Sequence, residues 1–251
     1  MTTSRSASRG SPRPSKALRT EQHWLPQIAP HLPVPSPVPL GMGAPAEGFE
    51  WPWSVCRWIE GENPVTGRLA DPLGLARDLA GFITALRGVD TTGAPAARRG
   101  LPLTTQDEEV RAALADLGGM IDVPAATAAW EQALHVPAYE GPAQWFHGDL
   151  ASFSILAAQG RLAGVIDFGL TGVGDPSVDL IPAWNLLPAH AREKFRTALG
   201  ADDDAWDRGR GWALSIALVA LPYYKDSNPQ RAASARHVIR EVLASHEQVT
   251  R

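Results

Sequence analysis

Apolar residues recur at helical spacing from Asp71 to Val89, where Leu75, Leu79, Phe82, Ile83 and Leu86 form one stripe. Asp71 is a good N-cap and Pro72 suits a first helical position, so a helix is predicted there. The same reasoning predicts helices over 105–117 and 125–135 and a chain of helices from Pro176 to near Val249, broken at Gly200 and near Pro222 to Pro229. Strand patterns are fewer. Trp51 to Ile59 carries β-formers, and two short runs, 154–157 and 161–166, flank a Gln159-Gly160 turn. A short helix is expected from Glu21 to Ala29, with Pro26 in its first turn, and the Pro-rich stretch His31 to Leu40 reads as extended chain. The pattern is a small β-containing beginning, then a helical body with a hairpin inserted.

Residues 1–20 stand apart. They carry Arg5, Arg9, Arg13, Lys16 and Arg19, no acidic residue and almost no large apolar side chain. Such a segment buries too little surface to offset its ordering entropy, so a disordered basic tail is expected. The chain's 44% apolar and 20% charged content is ordinary for a soluble globular protein, and a net charge of −4 gives no reason to expect nucleic acid. Cys56 is the single cysteine, which excludes an internal disulfide and suits a reducing compartment. The longest apolar run, Trp212 to Tyr224, is too short to span a bilayer, and no signal-peptide pattern follows Met1. A cytoplasmic protein with no membrane or nucleic-acid partner is expected.

The chemistry concentrates between Trp145 and Asp179. Phosphoryl transfer to a hydroxyl needs a carboxylate for the acceptor, oxygen ligands for Mg²⁺, and donors for the phosphates. Asp149 follows a His-Gly turn in a loop and suits the first role. Asp167 ends the apolar run Leu162 to Ile166, a rigid mount for a metal ligand, and Gly169 lets the backbone turn beneath it. The two carboxylates are eighteen residues apart with a hairpin between them. Other chemistries lack support. The remaining histidines are scattered with no zinc spacing, Ser152 and Ser154 lack a nucleophile-elbow context, and Asp202-Asp203-Asp204 reads as a helix cap.

His147-Gly148-Asp149-Leu150, Ile166-Asp167-Phe168-Gly169 and Gly174-Asp175-Pro176-Ser177-Val178-Asp179-Leu180 resemble the catalytic core of the aminoglycoside phosphotransferase family, relatives of the protein kinases. The likeness extends to EQHWLPQIAPHLPVPSPVP and WPWSVCRWIEGE, similar to the family's αC-like helix and hinge strand, and covers roughly residues 21 to 245. It implies an α+β, protein-kinase-like two-lobe fold, with a reduced amino-terminal β lobe and a mainly helical carboxy-terminal lobe. The predicted divisions are the tail (1–20), a partial amino-terminal lobe with the hinge strand (21–62) and the helical phosphotransferase lobe (63–251).

The resemblance further implies an ATP (or GTP) and Mg²⁺-dependent kinase acting on a small-molecule hydroxyl. Asp149 is then the catalytic base, His147 orients the catalytic loop, and Asp167 is the principal Mg²⁺ ligand. Ser54 to Ile59 offers backbone groups to the nucleotide base, which places Arg57, Trp58 and Ile59 at the cofactor. Asp175 and Asp179 are expected to cap and brace their loop more than to touch substrate.

Two departures bear on activity. Ser154 stands where the family carries a metal-ligating Asn, so a weak second ligand is expected there, with the bulky Phe153 either beside the metal or in the core. Glu21 is placed as the acid of the αC-like helix, yet none of the three lysines, Lys16, Lys194 and Lys225, falls in a strand-like run to pair with it, and Gly41-Met42-Gly43 follows the helix, the wrong place for a phosphate loop. Either the chain is a short form with impaired or altered activity, or its true start lies upstream. The competing function is a catalytically inactive member that binds a small molecule or a protein. A resistance enzyme in the strict sense rests on the family name alone.

Overall fold

A computed structural model describes the backbone of residues 3–6 and 13–249, with side chains described for residues 17–246. The chain opens with strand β1 (Thr3–Ser6) and helix α1 (Arg13–Ile28), then strands β2 (Pro39–Gly43) and β3 (Trp53–Arg57). These strands form an antiparallel sheet in the order β1-β3-β2, with Thr3 opposite Arg57 and Ser6 opposite Ser54. The sheet holds two more strands, β1 and β2, than the sequence pattern predicts.

The expected disordered tail needs correction. Strand β1 and the first two turns of α1 occupy most of residues 3–20, while residues 1–2 and 7–12 lie outside the described residues. The cause is tertiary. Ala17 packs where a side chain at Gly169 would otherwise sit, with its Cβ 3.0 Å from that position, so the basic start of α1 is held by the body and not by its own periodicity. Pro26 accordingly falls in the last turn of α1 and not the first, and the chain tightens into a 3₁₀ turn over Ala29–His31.

The body follows the predicted order. Helix α2 (Pro72–Arg87) starts where Asp71 Oδ1 accepts the Gly74 amide at 2.8 Å. Helices α3 (Asp107–Asp116) and α4 (Val123–His135) come next, then strand β4 (Gln144–Phe146) and the hairpin β5 (Ile155–Ala158) and β6 (Arg161–Val165). Gln159 and Gly160 both take positive φ, at 51° and 80°, as a two-residue hairpin turn demands. Strand β7 (Gly172–Gly174) pairs with β4, and α5 (Pro182–Asn185), α6 (Ala189–Leu199), α7 (Asp203–Tyr224) and α8 (Pro229–Val249) complete the chain.

Gly200 closes α6 in the left-handed region, as predicted. The second break falls within the expected stretch. Pro222 stays inside the last turns of α7, and the chain turns only between Tyr224 and Pro229. Asp202 caps α7 by accepting the Ala205 amide at 2.7 Å.

One apolar core joins these parts. Trp130, Trp145, Trp184 and Trp212 are all buried in it with Phe82, Phe146 and Phe168. Trp24 of α1 meets Trp145 of β4 at 5.2 Å between ring centroids, so the first helix is pinned directly to the strand that delivers the His-Gly-Asp turn. Among the described residues, no helix is long and apolar enough to cross a membrane.

Candidate functional site

Strand β4 runs straight into His147-Gly148-Asp149, and the turn is built around a buried carboxylate. Asp179 accepts the backbone amides of His147 at 2.7 Å and Gly148 at 2.8 Å. Burial pushes the Asp179 carboxyl up, and the nearby His147 and the two amides pull it back. Gly148 has φ +84°, and a Cβ there would lie 2.9 Å from the Leu170 carbonyl oxygen, so this turn requires glycine.

His147 has no exposed surface. Its Nδ1 accepts the Asp149 amide at 3.2 Å, which leaves Nε2 to donate to the Ile166 carbonyl at 3.0 Å. One ring thereby ties the Asp149 turn to the strand end before Asp167, and Phe168 packs edge-on against it at 4.7 Å.

Asp167 sits in the left-handed region at φ 66°, ψ 61°, unusual for a non-glycine residue. A cost of about 1–3 kcal/mol is typical of such positions, which cluster at functional sites. The next amide, Phe168 N–H, donates to Glu21 Oε1 at 2.7 Å. Burial and then the neighbouring Asp167 charge raise the Glu21 carboxyl to about 7, against the opposing effect of that amide. Among the described residues Glu21 forms no ion pair.

Ser154 has a different setting from the one its position suggests. It has no exposed surface. Its hydroxyl donates to the Asp149 carbonyl at 2.7 Å and accepts the Ala151 amide at 3.0 Å, and its own carbonyl accepts the Ile166 amide at 2.8 Å. The side chain is spent on bracing the loop. Phe153 is not in the core: it lines a cavity beneath the guanidinium of Arg231, 4.0 Å from its ring centroid.

Sequence reasoning missed Arg99. It lies in the 3₁₀ turn Arg98–Gly100, and its Nη1 is 2.6 Å from Asp149 Oδ1 while also bonding the Gly148 carbonyl. The mount is rigid. The Val173 amide donates to the Pro95 carbonyl and the Asp175 amide to the Gly100 carbonyl, both at 3.0 Å. A Cβ on Gly100 would come within 2.5 Å of the Phe146 ring, so the turn is pressed against the strand that carries the site. Asp175 braces the same region, capping Ser177 N–H at 2.9 Å and pairing with the buried Arg208 at 2.8 Å. Asn185 was also missed; its Nδ2 donates to the Leu150 carbonyl at 2.8 Å and steadies the loop from behind. No sequence signal marks either residue, because both act through chain-distant contacts.

The expected cofactor residues lie at the far end of β3. Arg57 closes that strand and Trp58 is 49% exposed. Ile59 packs on the hairpin, close enough that a Cβ on Gly164 would sit 2.7 Å from its Cγ2. Beyond it Glu62 and Ala157 exchange backbone hydrogen bonds at 2.9 and 2.8 Å, which fixes the link between sheet and hairpin.

On the other side of the turn a cavity of about 1290 Å³ opens, with Asp149 and Arg99 at one wall and α7 and α8 at the other. Asp149 reaches this cavity; Asp167, Ser154, Arg57, Trp58 and Ile59 do not line it. Among the described residues no cluster of three or more His, Cys, Asp or Glu side chains is arranged to hold a metal ion. That donor set still fits Mg²⁺, which takes one or two carboxylates and completes its shell with water and phosphate oxygens. Asp167 forms no ion pair among the described residues and so offers one such carboxylate.

Residues 5–212 match the family model of the phosphotransferase enzyme family, APH. No curated protein sequence matches the chain. Among solved structures, the GDP and kanamycin complex of APH(2")-IIia is similar over 94% of this chain and 84% of that one, at TM-score 0.70 and 18% identity. A macrolide 2'-phosphotransferase, MphH from Brachybacterium faecium, is similar over 93% and 81%, at TM-score 0.59 and 21% identity. A thermostable mutant of the aminoglycoside phosphotransferase APH(4)-Ia, in ternary complex with AMP-PNP and hygromycin B, is similar over 92% and 84%, at TM-score 0.63 and 20% identity. These likenesses share the kinase-like arrangement of a small sheet-bearing beginning and a helical body. The chain belongs to the phosphotransferase enzyme family, APH.

Proposed function

We propose that the protein transfers the terminal phosphoryl group of ATP or GTP to a hydroxyl on a small molecule bound in the cavity beside Asp149. The observation that carries this reading is the junction made by His147. It couples the Asp149 turn to the strand end at Asp167 through hydrogen bonds of 3.2 and 3.0 Å. Two carboxylates held in fixed relation by a buried ring are what in-line transfer needs, since catalysis there is mostly positioning and charge stabilisation. Their support by Asp179 and Asn185 adds to it.

Asp149 accepts the proton of the acceptor hydroxyl as its oxygen bonds to phosphorus and the bridging oxygen leaves with the nucleoside diphosphate. Arg99 fixes the direction of the Asp149 carboxylate and keeps further N–H groups free for an anionic oxygen. Asp167 would hold Mg²⁺, which when bound neutralises charge on the phosphates. Ser154 stabilises the loop, with its hydroxyl bonded to the Asp149 carbonyl and the Ala151 amide. Arg57, Trp58 and Ile59 border the nucleotide base. The single cysteine, Cys56, suits a cytoplasmic protein, and structural neighbours are complexes with kanamycin, gentamicin and hygromycin B.

A second reading, a member that binds without transferring phosphate, is favoured by the enclosed Ser154 hydroxyl and by the Arg99 bond that occupies Asp149. The two separate in one experiment. Nucleoside diphosphate release is measured across a panel of small alcohols with wild type and Asp149→Asn. Acceptor-stimulated release that Asp149→Asn abolishes, with nucleotide affinity retained, is expected; release unaffected by that substitution would overturn the role of Asp149.

A further inference from the structure

The charges around the cavity leave one cation unmatched. Its charged lining consists of Arg98, Arg99, Glu109, Asp149 and Arg231. Arg98 pairs with Glu109 at 2.7 Å and Arg99 with Asp149 at 2.6 Å. Arg231 forms no ion pair and no side-chain hydrogen bond among the described residues.

Its position is nonetheless fixed. Asn228 Oδ1 accepts the Arg231 amide at 3.0 Å, which sets the residue in the first turn of α8. The guanidinium lies over the Phe153 ring at 4.0 Å and near Tyr224 at 5.4 Å. A guanidinium stacked on an aromatic face keeps its edge N–H groups available, in a fork that matches a carboxylate. Phe153 is four residues past Asp149, so the clamp ties the cation to the loop bearing the proposed base.

Trp212, Ile216, Val219, Ala220 and Val238 give that wall an apolar stretch, next to the uncharged polar Ser215, Asn228, Gln230 and Ser234. Polycationic acceptors call for carboxylates in the wall, and here both carboxylates are already paired with arginine.

We propose that the acceptor is an apolar or aromatic hydroxy acid, with its carboxylate held by Arg231 and its hydroxyl directed to Asp149. A polyamine sugar is disfavoured by the same lining. This identification rests on the phosphotransferase reading for the fate of the hydroxyl, while the carboxylate site stands on the cavity alone.

The test uses three neutral-bodied probes of one shape: hydroxymethylnaphthoate, its carboxamide and its aminomethyl analogue. Binding to the full chain is followed by naphthyl fluorescence anisotropy. The naphthoate should bind roughly ten- to a hundred-fold tighter than the carboxamide, in line with a charge-assisted contact, and the aminomethyl analogue weakest. Arg231→Gln should bring the naphthoate down to the carboxamide's affinity and leave the carboxamide within about threefold. Arg231→Lys should keep part of the preference. In wild type, added salt should weaken the naphthoate and spare the carboxamide, a readout that needs no variant.

Equal affinities, tighter binding of the ammonium probe, a preference that survives Arg231→Gln, or no binding of any probe at millimolar concentration would each overturn the proposal. Nucleotide binding, measured separately by calorimetry, keeps the two readings apart. A carboxylate preference without nucleotide binding sinks phosphoryl transfer alone, and the converse sinks the acceptor class alone.

Discussion

The Arg99 guanidinium and the Asp149 carboxylate meet at 2.6 Å, with both side chains mostly shielded from water, at 23% and 19% exposure. The contact brings together a turn stitched to β7 and the residue proposed to take the acceptor's proton. If Arg99 positions Asp149, its loss should act on turnover more than on nucleotide affinity. Arg99→Ala is expected to lower acceptor-dependent turnover by roughly ten- to a hundred-fold, the scale of one charge-assisted hydrogen bond. Arg99→Lys should recover part of it. Unchanged turnover in Arg99→Ala, with normal nucleotide binding, would leave the pair without a catalytic consequence.

Ser154 offers a test of structure against ligation. Removing its buried hydroxyl takes the partner from the Ala151 amide and the Asp149 carbonyl, both partly shielded from water. Ser154→Ala should therefore cost about 1–3 kcal/mol in denaturant unfolding. The Mg²⁺ dependence of nucleotide binding should stay the same. A stable Ser154→Ala protein whose nucleotide binding needs much more Mg²⁺ would restore Ser154 as a ligand.

Glu21 predicts a pH dependence with a definite sign. Its carboxyl is raised from 4.5 to about 7 in the folded chain. The contribution is fully present below the unfolded value and is lost as pH rises through about 7. In metal-free buffer, wild type should lose up to about 3 kcal/mol relative to Glu21→Gln between pH 5 and 8. Gln at this position still accepts the Phe168 amide through its carbonyl oxygen, so the comparison isolates the charge. Parallel pH profiles for the two proteins, in chemical denaturation, would remove Glu21 as a source of the effect.

The parts of this fold that were legible in the sequence are those specified locally. Asp71 and Asp202 cap helices through their own side chains, Gln159-Gly160 makes the hairpin turn by backbone preference, and Gly200 ends α6 in a conformation glycine favours. The His-Gly-Asp and Asp-Phe-Gly segments were readable as family motifs, although the turns they form rest on the distant carboxylates of Asp179 and Glu21. What escaped depends on distant contacts. The start of α1 has no apolar period and is held by packing near Gly169, so it read as a tail. Arg99 gains its meaning from Asp149, fifty residues away, and Arg231 from Phe153 and Tyr224. Ser154 was placed correctly at the loop, but its hydrogen bonds to Asp149 and Ala151 are a matter of side-chain direction that spacing does not encode.

Calorimetric titration of ATP and GTP, with and without Mg²⁺, on wild type, Asp167→Asn and Asp149→Asn tests the central claim most directly. Wild type should bind at least one nucleotide in a Mg²⁺-dependent manner, Asp167→Asn should lose that dependence, and Asp149→Asn should bind as wild type does. Absence of binding by wild type at millimolar nucleotide, or binding indifferent to both Mg²⁺ and Asp167, would contradict the assignment of this site to phosphoryl transfer.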